Sequence, residues 1–127
     1  MPARFAIRPL FNRAPGIFQR AALLLHTKYN DPCPTVVLEA LASGLPVVYS
    51  ASGGVPELVG PDAGVGVPAE LDWDRDRPPD PQVMAAAVLR AAQDAERMAM
   101  AARSRAEAFD VEPWLDRHQQ VFEALTA

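Results

Sequence analysis

Cysteine and lysine are nearly missing from this 127-residue chain, each appearing once, as Cys33 and Lys28, and histidine stands only at His26 and His118. A lone cysteine can close no intrachain disulfide. One cysteine and two histidines are too few for the nitrogen and sulfur set of a structural zinc site, so no metal is expected. Basic residues are outnumbered too: 12 Lys and Arg against 16 Asp and Glu leave a formal charge of −4. With no basic cluster to replace phosphate counterions, nucleic acid is not an expected partner. No apolar run approaches the roughly 20 residues that cross a bilayer, and the N-terminus lacks the apolar segment of a secretory signal. The expectation is a soluble, cytoplasmic chain without a membrane span.

What the chain does have is apolar content, 50% of its residues, enough for one sizeable core and too little length for a second domain. Phe5–Arg8 alternates weakly, and Asn12 offers a cap for a short helix over Pro15–Ala21. Ala22–His26, with the run Leu23-Leu24-Leu25, reads as a strand buried on both faces. A polar loop follows, then a helix over Pro34–Ser43 that ends at Gly44, placed as a left-handed terminal residue. Pro46–Ser50 is the second strand, Gly53-Gly54 a turn, Pro56–Val59 a helical turn and Gly64–Val67 the third strand. Strands and helices alternating through short loops mean parallel strands with crossovers, so the fold class is α/β, a Rossmann-like parallel sheet flanked by helices.

We divide the chain into a βα core over residues 1–68, a proline-rich loop over 69–80 with Trp73 as its one anchor, and C-terminal helices over 81–127. Asp80-Pro81 supplies a cap and first-turn proline for a helix with Met84, Val88 and Ala91 on one face. A second helix over Asp94–Phe109 aligns Met98, Ala102, Arg105 and Phe109. The last carries Trp114, Leu115, His118, Val121, Phe122 and Leu125, a wide apolar stripe expected to pack on the chain's own sheet, the alternative being a face meant for a partner or a missing domain.

The chemistry concentrates in Asp31-Pro32-Cys33-Pro34-Thr35-Val36-Val37-Leu38-Glu39-Ala40. One acid precedes a helix start and a second stands one to two turns inside it. A helix N-terminus offers unpaired N–H groups and partial positive charge to a phosphate, and carboxylates beside it accept from sugar hydroxyls. Thr35, Glu39, Ala42 and Ser43 share a face away from the stripe of Val37, Leu38 and Leu41. Spacing alone favours a plainer reading, in which Asp31 is a turn residue before Pro32 and Glu39 a solvated helix position.

Leu23-Leu24-Leu25, Asp31 through Ala40, Ser43-Gly44-Leu45-Pro46-Val47-Val48 and Gly53-Gly54-Val55-Pro56-Glu57-Leu58-Val59, in that order, resemble the C-terminal domain of glycosyltransferase family 4, the retaining group 1 enzymes of GT-B architecture. The likeness runs from Ala22 to Pro68, with helices of the expected kind after it. It implies that Asp31 and Glu39 fill the two acid places of the family motif, Asp31 meeting donor-sugar hydroxyls and Glu39 the nucleotide ribose. Backbone at Cys33, Pro34, Thr35 and Val36 would face the sugar and diphosphate. Proline at 32 and cysteine at 33 depart from the family's usual Gly and Phe, and Asp31 is one methylene shorter than the usual Glu. Gly53 and Gly54 let backbone approach a ligand or simply serve a tight turn, and Glu57 braces that turn. The resemblance further implies a nucleotide-diphosphate sugar donor, retention at the anomeric carbon and neither metal nor cofactor.

The Arg and Lys that clamp the diphosphate in that family have no counterpart here, Lys28 standing elsewhere. Three strands and a weaker fourth fall short of the roughly six of a full doubly wound half. The expectation is therefore a partial C-terminal domain, inactive alone, whose partner is a missing N-terminal acceptor domain and whose open sheet edge invites self-association. Two other readings stay open: a non-catalytic partner-binding module on the same fold, and a GT-B enzyme of another reaction, such as a nucleotide-sugar epimerase. No lysine is placed to hold the pyridoxal group of a phosphorylase.

Overall fold

Short apolar runs bounded by glycine and proline form the sheet of the computed structural model, which describes residues 14–127. The alternation at Phe5–Arg8 and the Asn12 cap lie outside the described residues. Strands β1 (Leu24–His26), β2 (Val47–Ala51) and β3 (Gly64–Pro68) are all parallel and lie in the order β1-β2-β3. Leu24 stands opposite Val47, and Val47 opposite Gly64. Helix α1 (Ala14–Phe18) precedes the sheet, α2 (Thr35–Ala42) crosses from β1 to β2, and α3 (Val55–Val59) from β2 to β3. After β3 come α4 (Pro81–Gln93), α5 (Ala95–Glu107) and α6 (Val111–Thr126). This is the α/β, Rossmann-like architecture expected from the sequence.

Because side chains alternate along a strand, β2 feeds two cores. Val47 and Tyr49 join Val37, Ala40 and Leu41 of α2, Val55, Leu58 and Val59 of α3, and Ala102 of α5. Val48 joins Val65 and Val67 of β3 with Met84, Ala87 and Ala91 of α4 and Met98 of α5. With helices on both faces, β2 is buried from Val47 through Ser50, as a central parallel strand must be.

Local signals set the helix ends. Gly44 takes φ +73° after α2, the left-handed geometry anticipated there. The Asp80 carboxylate accepts from the N–H groups of Gln82 (2.8 Å) and Val83 (3.0 Å), with Pro81 in the first turn of α4. From α5, Arg105 donates to the carbonyls of Leu58 (2.9 Å) and Glu57, closing the end of α3.

Three expectations are corrected. Leu25 is 48% exposed, so the Leu23–Leu25 run is not buried on both faces; among the described residues β1 is an outer strand of the sheet. Trp73 is 91% exposed and so does not anchor its loop among the described residues. Helix α6 buries no residue at all, with Leu125 78% exposed. Helices α2, α3, α4 and α5 supply the residues that pack on the two faces of the described sheet, and α6 contributes to neither core. Among the described residues the aromatic partner of its Trp114 ring is His118 on the same helix, centroids 3.8 Å apart, and Trp114 is 49% exposed. Trp114→Ala is therefore expected to shift unfolding free energy by less than about 0.5 kcal/mol. A thermal or urea melt checks this, and a loss of several kcal/mol would mean the ring is packed.

Candidate functional site

In a parallel sheet every strand delivers its loop to the same edge, and a crevice outside the carboxyl ends is where ligands sit. Here that edge gathers the loop after β1, residues 27–34, and the turn after β2, Ser52-Gly53-Gly54. The two are stitched together. The Gly54 N–H donates to the Asp31 carbonyl (2.9 Å), and the Asn30 N–H donates to Ser52 Oγ (3.0 Å). Ser50 and Ser52, both buried, share a hydroxyl bond of 2.9 Å beneath them. Asn30 itself takes φ +50°, a conformation that asparagine tolerates better than most residues.

The same contacts explain the glycine pair. A Cβ at Gly54 would run into the Pro32 carbonyl oxygen, and one at Gly53, where φ is +61°, into the Asp31 carbonyl oxygen. What demands glycine here is the neighbouring loop, and the turn in turn fixes the backbone of Asp31.

Asp31 is half-buried, with two nitrogens beside one of its oxygens: His26 Nε2 at 3.4 Å and Lys28 Nζ at 3.5 Å from Oδ2. Lys28 is exposed, whereas His26, the last residue of β1, is only 8% exposed. Opposite His26 on β2 stands Tyr49, whose phenol burial pushes up, so the neighbour is neutral.

Helix α2 begins with Pro34 in extended geometry and no side-chain cap. The Pro34 carbonyl accepts from Val37 N–H at 3.1 Å, and prolines 32 and 34 have no N–H to give. Donors toward a ligand at this end therefore fall to Cys33, Thr35 and Val36, of which Cys33 and Thr35 are exposed and Val36 half-exposed. Glu39, one turn on and on the face of Thr35, is exposed and forms no salt bridge among the described residues. The structure thus brings Asp31, Gly53 and Gly54 into direct contact, while Glu39 reaches the site only by sharing α2. Among the described residues no three His, Cys, Asp or Glu side chains gather to hold a metal ion.

Tyr29 ties a further loop to this edge. Its hydroxyl lies 2.8 Å from the Glu70 carbonyl and 3.0 Å from that of Asp72, and accepts from the Asp72 N–H at 2.6 Å. The Asp72 carboxyl is held below its ordinary range chiefly by the Asp74 N–H, with Arg77 and the Arg75 N–H adding to it. Sequence reasoning missed Tyr29, Ser50, Ser52 and His26 as shapers of the edge. The one local signal was two serines spaced by two at the end of an apolar strand.

Residues 12–107 match the family described as glycosyl transferases group 1. The chain belongs to that family. Among solved structures, the chain is similar to sucrose-phosphate synthase from Thermosynechococcus elongatus, at 28% identity and a TM-score of 0.71. The likeness covers 87% of this chain and 27% of that one, so the chain spans about a quarter of the length of its structural relative. No curated protein sequence matches it. No helix among the described residues is long and apolar enough to cross a membrane.

Proposed function

We propose that this chain is the donor-binding half of a family 4, GT-B glycosyltransferase, holding a nucleotide-diphosphate sugar for transfer with retention. The observation that carries the reading is Asp31, braced by the Gly54 turn at the carboxyl edge of the sheet and immediately ahead of α2. In this reading the diphosphate lies at the start of α2, near the N–H groups of Cys33, Thr35 and Val36, with Pro34 shaping the entry. Developing charge on the leaving diphosphate is then met by the helix dipole. Asp31 takes sugar hydroxyls and the exposed Glu39 the ribose. Gly53 and Gly54 line the near wall.

The group 1 family and the likeness to a synthase of a sugar phosphate support sugar transfer. Acceptor contacts are assigned to a separate N-terminal domain and the cationic residues for the diphosphate to an earlier part of this same domain, and the chain, read as a single partial domain, is inactive without them. Neither metal nor cofactor is invoked, and a cytoplasmic location goes with the reading. The bare apolar face of α6 favours a second reading, a module that binds a partner protein, and β1, the outer strand among the described residues, offers an edge for self-association.

Titration calorimetry against UDP, GDP, ADP and their sugar conjugates tests the first reading. Glu39→Ala is expected to remove a hydrogen bond made by a charged group, about 1.5–3 kcal/mol, raising Kd by about ten- to hundredfold. An unchanged Kd would return Glu39 to a solvated helix position.

A further inference from the structure

We propose that His26 is a positioning residue for Asp31, selecting the side-chain rotamer in which one carboxylate oxygen is held inward and the other is left for the donor sugar. The inference rests on the donor-site reading above and adds a residue to it.

The geometry is specific. The Asp31 backbone is fixed by Gly54, but a backbone anchor leaves χ1 free among three staggered wells. His26 Nε2, at 3.4 Å from Oδ2, distinguishes one of those wells. The imidazole can do so because it is itself immobile: it ends β1, pairs with Tyr49 across the sheet, and is 8% exposed. Its other nitrogen, Nδ1, is buried without a hydrogen-bond partner among the described residues, which leaves Nε2 as the engaged end of the ring. Lys28 approaches the same Oδ2, but its side chain is 69% exposed, and an exposed pair of this kind holds little. Both nitrogens crowd Oδ2, and among the described residues Oδ1 accepts no hydrogen bond. An aspartate, shorter than a glutamate, reaches its target from fewer rotamers, so a fixed χ1 matters more at this position.

Two measurements on the whole chain test this. The first needs no ligand: three-bond couplings to Asp31 Cγ report its χ1. A single rotamer is expected in the native chain and in Lys28→Met, averaging in His26→Leu, and recovery in His26→Gln, whose amide replaces the Nε2 donor. Couplings in a folded His26→Leu equal to those of the native chain would overturn the proposal. Should His26→Leu fail to fold, His26→Ala takes its place: averaged couplings there support the proposal, and a single rotamer there, or a rotamer averaged already in the native chain, overturns it.

The second compares UDP with UDP-glucose, GDP with GDP-mannose and ADP with ADP-glucose by calorimetry. His26→Leu is expected to leave the diphosphate Kd within about twofold and to weaken the sugar conjugate by about three- to tenfold, the lower figure matching three wells against one. Equal losses for both ligands would mark a merely structural role and overturn the proposal. If the native chain bound none of the six, the donor-site reading would fail, and the couplings would still decide whether His26 sets the Asp31 rotamer.

Discussion

Leu41→Ala is expected to cost about 3 kcal/mol of unfolding free energy, within the 2–5 kcal/mol that such truncations cost in cores. Leu41 is fully buried, on the face of α2 that meets the sheet and α5. Removing three carbons there leaves a cavity that neighbours can close only by shifting helices. Because α2 also carries Thr35 and Glu39, the same shift displaces the candidate donor site. Urea denaturation should show a lower midpoint with an unchanged slope. A cost below about 1 kcal/mol would mean that the α2–α5 seam is loosely packed.

The second large effect is expected from Gly54→Ala, at about 1–3 kcal/mol by overpacking. An added methyl meets the carbonyl oxygen of Pro32, and a backbone atom cannot swing aside as the tip of a side chain can. Either the Ser52–Gly54 turn or the loop of Asp31 must move, breaking the bond from Gly54 N–H to the Asp31 carbonyl. Amide shifts should change most at Asn30, Asp31 and Ser52. Gly16→Ala is the control: nothing lies within 4 Å of a Cβ there, and in a helix the change is expected to be neutral or slightly stabilising. Equal melting points for Gly54→Ala and the native chain would show that the two loops are not locked together.

The sheet was legible in the sequence because its signals are local. Val47-Val48 between Pro46 and a glycine turn, and Gly44 after a helical stripe, each declare an element from a few residues. The same locality explains the misreadings. The stripe from Trp114 to Leu125 specifies an amphipathic helix but not what covers it, and α6 is covered by nothing among the described residues. The Leu23–Leu25 run specifies a strand but not its place in the sheet, and an outer strand leaves Leu25 exposed. The candidate site was half legible. Asp31 and the glycine pair stood out as motifs, while what braces them, Ser52 to Asn30, Tyr29 to Asp72 and His26 to Asp31, joins side chains that fold geometry alone brings together.

The central claim is that the start of α2 and the Asp31 loop receive a nucleotide-diphosphate group. Amide chemical-shift mapping of this chain, titrated in turn with UDP, GDP and ADP, tests it most directly. One nucleotide is expected to shift the amides of Asp31, Cys33, Thr35, Val36 and Gly54 together while residues of α6 stay still. A folded chain in which these amides do not move with any of the three, or in which the shifts fall on α6 instead, would contradict it.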